Sequence, residues 1–228
     1  VTRTKYGIVE SIAELDEAIT PLKGEPDDDT PPAIPPVDDG ELPPGAVLSV
    51  PGPLALTGGD DDHIEVAHSQ ALELTDGTIA FNFTADDAQE WQALFSKDAE
   101  GNQQGGHLSA FVYGNRVKVR FQSAEHDVWL YSPEGSVQPG QEHHFAATFG
   151  AEGFWLYLDG QMVDWRSEFT QGLDTNDETL AIGANIWDRS DENPYASHSH
   201  FAGLIDGFTI YDTQFTQQQV AELASREV

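Results

Sequence analysis

The segment from His143 to Met162 constrains the fold more than any other part of the sequence. Its apolar residues alternate with other residues up to Phe149, glycines then interrupt the pattern, and alternation resumes over residues 154–158. This period of two is typical of β-strands, and Asp159-Gly160 is a hairpin turn sequence. Because apolar residues occupy both faces of the second strand, the segment predicts three strands inside a two-layer β-structure.

Turn signals recur at short intervals after residue 46, and strand-like runs fill the gaps between them. Gly114-Asn115 separates two such runs and predicts another hairpin. The predicted strands outside the first segment are Ala46 to Val50, His63 to Ala67, Thr78 to Thr84, Trp91 to Ser96, His107 to Tyr113, Arg116 to Gln122, Val128 to Tyr131, Thr179 to Gly183 and Leu204 to Tyr211. We therefore expect an all-β antiparallel domain over residues 46–228. A short C-terminal helix should close the domain, with Thr216 as its N-cap and Val220 facing the sandwich.

Two segments of different composition precede this domain. Between Tyr6 and Ile19, isoleucine and leucine recur every three or four residues, which predicts a short N-terminal helix within residues 1–20. This helix would need a docking surface, on the domain or on a second subunit, so it also predicts possible self-association. Residues 21–45 are rich in proline and acidic residues and are interpreted as an extended linker.

The charge of the chain restricts its partners. Forty acidic residues against ten basic ones give a formal net charge of −30, which argues against binding to nucleic acid or to an anionic membrane. There is no cysteine, so disulfides do not stabilise the fold. No apolar run has the length of a membrane span, and the start at Val1 suggests a piece of a larger or processed protein.

The ordered set of motifs is more specific than any one motif. These motifs are Gly58 to Val66, Ala71 to Ile79, Glu142 to Phe149, Leu156 to Gly160, Leu180 to Gly183, Gly203 to Tyr211 and Phe215 to Leu223. In this order they resemble laminin-G-like domains of the concanavalin A-like jelly-roll superfamily, and the resemblance spans about residues 47 to 224. His63 and Glu142 stand where many members have aromatic residues. The resemblance implies a sandwich of two curved antiparallel sheets, a fold that carries both binding proteins and enzymes.

The resemblance also implies a structural calcium ion. In such domains calcium commonly ties the opening strand to the penultimate one, which corresponds here to Asp61, Asp62 and Asp206. Their carboxylates are oxygen donors of the kind that calcium prefers. The alternative is that the run of aspartates is solvated and that Asp206 caps a turn.

A polar loop between two predicted strands is the main candidate for ligand binding. Residues 185–200 concentrate aromatic, charged and amide side chains, which suit the recognition of sugar faces and hydroxyls. The candidate ligand-binding residues are Trp187, Asp188, Arg189, Asn193, Tyr195 and His198. The alternative is that the aromatic residues only hold the loop on the sandwich. Trp129, Tyr131 and Trp165 are interpreted chiefly as core or sheet-surface residues, with a place on a concave binding face as the other possibility.

Zinc binding and catalysis have less support in the sequence. His198 and His200 can share a face, but a zinc site would need a remote third ligand such as His107 or His126. The domain has no strand with the paired acidic residues of glycoside hydrolases on this fold, and Arg166-Ser167-Glu168 alone does not make a lyase motif. We expect no catalytic residues.

These observations predict a non-catalytic module that binds carbohydrate or protein, in the manner of a lectin or adhesion domain. We expect it to belong to a larger secreted, extracellular bacterial protein. Two alternatives stay open at this point. One is a polysaccharide-degrading enzyme on the same fold, and the other is a purely structural or assembly domain.

Overall fold

The computed structural model describes residues 8–9, 42–98, 106–123, 126–189 and 196–225. Within these ranges the chain forms strands, one 3-10 turn at Gln70–Leu72 and an α-helix. The strands are β1 (Ile8–Val9), β2 (Ala46–Val50), β3 (Leu54–Thr57), β4 (Ile64–Val66), β5 (Gly77–Ala85), β6 (Gln92–Lys97), β7 (His107–Val112), β8 (Val117–Gln122), β9 (Asp127–Tyr131), β10 (Glu142–Phe149), β11 (Phe154–Leu158), β12 (Gln161–Arg166), β13 (Leu180–Ile182) and β14 (Ala202–Tyr211). The helix is α1 (Gln217–Ala224).

The strands form two sheets that pack face to face. Sheet 1 has the strand order β1-β4-β13-β6-β7-β8-β9, and sheet 2 has the order β12-β11-β10-β5-β14-β2, with β3 also paired to β14. Neighbouring strands are antiparallel except β1 and β4, which are parallel. Many neighbours are distant in sequence because the chain crosses between the sheets. The predicted two-sheet antiparallel jelly-roll sandwich is confirmed.

Phenylalanine rings fill the centre of the sandwich. The ring of Phe81 on β5 is stacked between Phe145 at 4.7 Å and Phe208 at 5.2 Å, all within sheet 2. Phe95 on β6 of sheet 1 meets this ring edge-on at 6.0 Å. These side chains are fully buried. Because side chains alternate along a strand, each residue beside a core position points to the outer face of its sheet.

The two predicted hairpins are confirmed. β10, β11 and β12 follow one another as antiparallel neighbours. Asp159 and Gly160 have φ values of 52° and 73°, and Gly114 and Asn115 have φ values of 63° and 58°. Positive φ at both central residues is the geometry of the type I′ turn, whose twist matches that of the flanking strands.

The closing helix is also confirmed. The Thr216 side chain accepts a hydrogen bond from the Gln219 backbone, and the Gln219 side chain returns one, so the two residues form a capping box. Val220 is buried against the outer face of sheet 2. In the described part of the chain, no helix has the length and apolar character that crossing a membrane requires.

The structure differs from the sequence predictions at β3 and at the N-terminal segment. β3 was not predicted, because its four residues lie between Pro53 and Gly58 and look like part of a turn. The predicted N-terminal helix is wrong for Ile8–Val9, which form β1 and pair with Glu65 and Val66. These β-branched residues satisfy their backbone groups at the sheet edge instead of in a helical turn. The rest of residues 1–20 and the predicted linker up to residue 41 lie outside the described residues.

Replacement of Phe81 tests the stacked core. We expect Phe81→Ala to lower the free energy of unfolding by about 3–5 kcal/mol, because the change leaves a cavity between three rings. Leu204→Ala on the exposed outer face of the same sheet is the control and changes it by about 0.5 kcal/mol. Urea denaturation measures both values. Equal losses for the two variants would contradict this description of the core.

Candidate functional site

Three neighbouring strands of sheet 1 carry the most chemically varied outer surface. The strand register aligns side chains in rows across β7, β8 and β9. The rows are Phe111–Lys118–Tyr131, Ser109–Arg120–Trp129 and His107–Gln122–Asp127. The residues between them, such as Val119 and Leu130, belong to the core. Alternation places these side chains on the outer face, and the register of the three strands brings the aromatic and cationic ones together.

The aromatic side chains of this face contact one another. Trp91, just before β6, lies 5.0 Å from Phe111, 4.8 Å from Tyr113 and 6.2 Å from Trp129, measured between ring centroids. Trp129 and Tyr131 lie parallel, 6.2 Å apart. Arg116, Lys118 and Arg120 lie among these rings. We call the group the aromatic–cationic surface, and its members are Trp91, Phe111, Tyr113, Arg116, Lys118, Arg120, Trp129 and Tyr131.

This surface is unusually rich in positive charge for so acidic a protein. Three of the ten basic residues of the chain lie within the five positions from Arg116 to Arg120, in a molecule with a formal charge of −30. Arg120 donates two hydrogen bonds to the Asp127 carboxylate, at 2.9 and 3.0 Å. These bonds raise the pKa of Arg120 and occupy one edge of its guanidinium group. The other two cations are not held in this way by the residues described.

The described ends of the loop of residues 185–200 are bonded to β6, the strand that follows Trp91. The Ala93 backbone on β6 donates to the Ser199 carbonyl at 2.6 Å. The Ser96 hydroxyl, also on β6, donates to the Ala184 carbonyl and accepts from the Ile186 backbone. The loop thus borders the aromatic–cationic surface along β6.

A buried ion pair holds this loop to the sheet. Glu65 on β4 is almost completely buried and pairs with Arg189 of the loop and with His63. Burial by itself raises the pKa of Glu65, but the hydrogen bonds from His63 and Arg189 outweigh it and lower the pKa overall. Arg189 also donates to the Ala196 carbonyl at 2.9 Å. Arg189, a predicted ligand-binding residue, therefore holds the loop in place.

Three other predicted loop residues form a small group. Trp187 is 46% exposed, and its ring meets that of His198 edge-on at 5.7 Å. The His198 Nε2 and Asp188 Oδ1 atoms are 3.8 Å apart, and both atoms are buried without a hydrogen-bond partner among the described residues. Burial lowers the pKa of His198, which favours its neutral form. Predicted residues Asn193 and Tyr195 lie outside the described residues.

The predicted calcium ligands are not gathered at one point. Asp62 accepts two hydrogen bonds from Thr57, whose neighbour across the sheet is Ala202. Asp206 lies four residues further along the same strand, about 13 Å away at the usual rise of a strand. Calcium–oxygen distances are about 2.3–2.6 Å, so Asp206 cannot share an ion with Asp61 and Asp62 in this arrangement.

Other features are poorer candidates for a site. In the described ranges no group of three or more His, Cys, Asp or Glu side chains has metal-binding geometry, and His107 forms an ion pair with Asp98. A cavity of about 650 Å³ lies on sheet 2 between β2, β14 and α1. Its lining includes Pro43 and Pro44, next to residues that the structure does not describe. We therefore place the candidate site on sheet 1.

Comparison with known families agrees with this architecture. Residues 57–221 match the family profile Laminin_G_3, described as concanavalin A-like lectin/glucanases superfamily. The chain belongs to this family. The sequence resemblance to laminin-G-like domains is thereby confirmed. No curated protein matches the chain.

Solved structures share the fold at low sequence identity. The CBM40 domain of the Ruminococcus gnavus IT-sialidase, bound to α2,3-sialyllactose, has a TM-score of 0.62 and 14% identity, covering 79% of this chain and all of the domain. Domain 4 of AbnA, a GH43 extracellular arabinanase from Geobacillus stearothermophilus in complex with arabinotriose, has a TM-score of 0.56 and 18% identity, covering 78% and 80%. The NanB sialidase of Streptococcus pneumoniae has a TM-score of 0.61 and 18% identity, covering 78% of this chain and 28% of the sialidase. At these identities the likeness shows the fold alone.

Most of the aromatic–cationic surface was not predicted from the sequence. Trp129 and Tyr131 were interpreted chiefly as packing residues, with a binding face as the other possibility, and Trp91 and Lys118 were not among the candidates. A signal was present in the sequence, because cations at 116, 118 and 120 alternate with valines and aromatic residues follow at 129 and 131. What the sequence lacked was the pairing of β8 with β9, which brings the two series together.

Proposed function

We propose that this chain is a non-catalytic carbohydrate-binding module that binds glycan on the outer face of sheet 1. The observation that carries the proposal is the aromatic–cationic surface, a continuous group of rings and cations bordered by the loop of residues 185–200. Binding sites for small ligands combine apolar and aromatic walls with a few placed polar groups. This surface has both components.

Each component has a defined part in glycan binding. The rings of Trp91 and Trp129 offer half-buried apolar area to the C–H face of a sugar. The neighbouring loop offers the ring of Trp187, which is 46% exposed. The cations of the surface offer N–H donors to sugar hydroxyls.

Two carboxylates of this face, those of Asp127 and Asp98, support binding more than hydrolysis. Asp127 is engaged by Arg120, and Asp98 is engaged by His107 and by the Ser109 hydroxyl. A glycoside hydrolase needs two carboxyl groups free to act as acid and as base or nucleophile. Neither aspartate is free in this sense.

The similar structures support the same class of ligand. Two of them are carbohydrate-binding domains of bacterial enzymes, one bound to sialyllactose and one to arabinotriose. We propose by analogy that this chain is part of a larger extracellular bacterial protein and attaches it to glycan. Binding to a protein was part of the same sequence prediction, and the alternatives from the sequence are a polysaccharide-degrading enzyme and a purely structural or assembly domain.

Truncation of one platform residue tests the proposed surface. We expect Trp129→Ala to weaken glycan binding about thirtyfold, because a central aromatic residue commonly contributes about 2 kcal/mol to an interface. Isothermal titration with 3′-sialyllactose and arabino-oligosaccharides, chosen after a glycan-array screen, measures the affinity. Trp165→Ala is the matched control, since Trp165 is 47% exposed on the outer face of sheet 2. Equal effects of the two variants, or array silence, would contradict the proposal.

Calcium binding is a second proposal, carried by the sequence resemblance. Because Asp206 is distant from the turn at Asp60 to Asp62, we propose that the turn binds calcium without Asp206, with water and backbone carbonyls completing the coordination. Saturating calcium should then raise the melting midpoint by about 5 °C, and Asp61→Asn should abolish the rise. Asp206→Asn should leave the rise unchanged. A midpoint that is the same in calcium and in chelator would refute the proposal.

A further inference from the structure

Lys118 lies in a cage of aromatic rings on the outer face of sheet 1. Its Nζ atom is 4.4 Å from the ring centroid of Tyr113, 4.9 Å from that of Trp91 and 5.8 Å from that of Tyr131. The guanidinium carbon of Arg116 lies 4.9 Å from the Tyr131 centroid. Two cations therefore share one aromatic wall.

This pair of cations has little opposing charge. Among the residues described, Lys118 forms no ion pair and donates no hydrogen bond, although the chain has forty acidic residues. Arg116 approaches only Glu134, at 3.9 Å, and the Glu134 side chain is 85% exposed. An exposed ion pair of this kind contributes little energy. By contrast, two hydrogen bonds hold Arg120 to Asp127.

Lys97, on the same sheet, has a structural role and provides a comparison for Lys118. The Lys97 ammonium group is buried and donates to the Asn176 carbonyl at 2.9 Å, the Asn176 side-chain oxygen at 2.7 Å and the Glu178 carbonyl at 2.8 Å. Its three donors are thus used within the fold. The described surroundings of Lys118 leave its donors directed at aromatic rings and solvent.

The electrostatics of the site agree with this contrast. Desolvation by the surrounding rings lowers the pKa of Lys118, and the positive charge of Arg116 lowers it further. Lys118 and Arg116 are therefore two like charges close together, and no carboxylate among the described residues pairs with Lys118. An anionic ligand group would remove this repulsion and gain charge-assisted hydrogen bonds.

We propose that Lys118 and Arg116 bind the anionic group of an acidic sugar, while the neighbouring rings contact the sugar face; this inference rests on the proposed carbohydrate-binding function. A carboxylate and a sulfate ester are the two sources of such a group in glycans. The net charge of −30 repels long polyanions, so the site suits a terminal or isolated acidic sugar.

Matched glycan pairs test the inference. The probes are 3′-sialyllactose and lactose 3′-sulfate, each against lactose, measured with the full chain on an array and then by titration. We expect an acidic glycan to bind at least tenfold more tightly than its neutral counterpart. Lys118→Gln should remove this preference, because it removes a charged hydrogen bond. Lys118→Arg should retain most of it.

A control separates local from global charge. Lys118→Gln changes the formal net charge from −30 to −31, and Gln217→Glu on α1 makes the same change on the opposite sheet. Melting midpoints show whether each variant is folded. The inference is supported if Gln217→Glu keeps the preference for acidic glycans and Lys118→Gln loses it. Comparison of the carboxylated probe with the sulfated probe then identifies which anionic group binds.

Three outcomes would overturn the inference. Equal affinity for acidic and neutral glycans, both sensitive to Trp129→Ala, would refute it and leave the proposed function standing. Preference for acidic glycans that Lys118→Gln does not alter would place the anion elsewhere. Binding to none of the glycans would contradict the proposed function and the inference together.

Discussion

The packing of phenylalanine rings between the two sheets is the constraint on which the rest of the structure depends. Phe81, Phe95, Phe145 and Phe208 occupy the space between the sheets, which fixes the register and the inward face of each strand around them. A shift of one residue would exchange the inner and outer faces of a strand. The core therefore determines which side chains of β7, β8 and β9 reach the surface, and so assembles the aromatic–cationic surface.

The loop of residues 185–200 depends on the same sheet in a different way. The buried pair of Glu65 and Arg189 holds the described part of the loop to sheet 1, and Arg189 also joins its two ends by donating to the Ala196 carbonyl. Removal of one partner of a buried ion pair is costly because it leaves an unpaired charge. The pair thus keeps Trp187, which is 46% exposed, on the side of the sheet that carries the aromatic–cationic surface.

Much of the fold could be predicted from local sequence, whereas the site could not. Asp159-Gly160 and Gly114-Asn115 specify their hairpins through backbone conformations that these residues adopt readily, and Thr216 with Gln219 specifies the helix start. The aromatic–cationic surface lies on consecutive strands, but its cations and rings come together only through the register of β7, β8 and β9. The position of the loop of residues 185–200 depends on the pairing of β4 with β13, which are distant in sequence. The loop residues looked functional because they are polar, but Arg189 proved to be a partner of Glu65. The separation of Asp206 from Asp62 likewise follows from the register of β14.

The central claim is that glycan binds on the outer face of sheet 1. Amide and indole NMR spectra recorded during titration with a glycan that the chain binds would test it most directly. We expect the largest shift changes at the indole signals of Trp91 and Trp129 and at the amides of β7, β8 and β9. Shift changes confined to sheet 2, around α1 and the cavity lined by Tyr211 and Phe215, would contradict the claim.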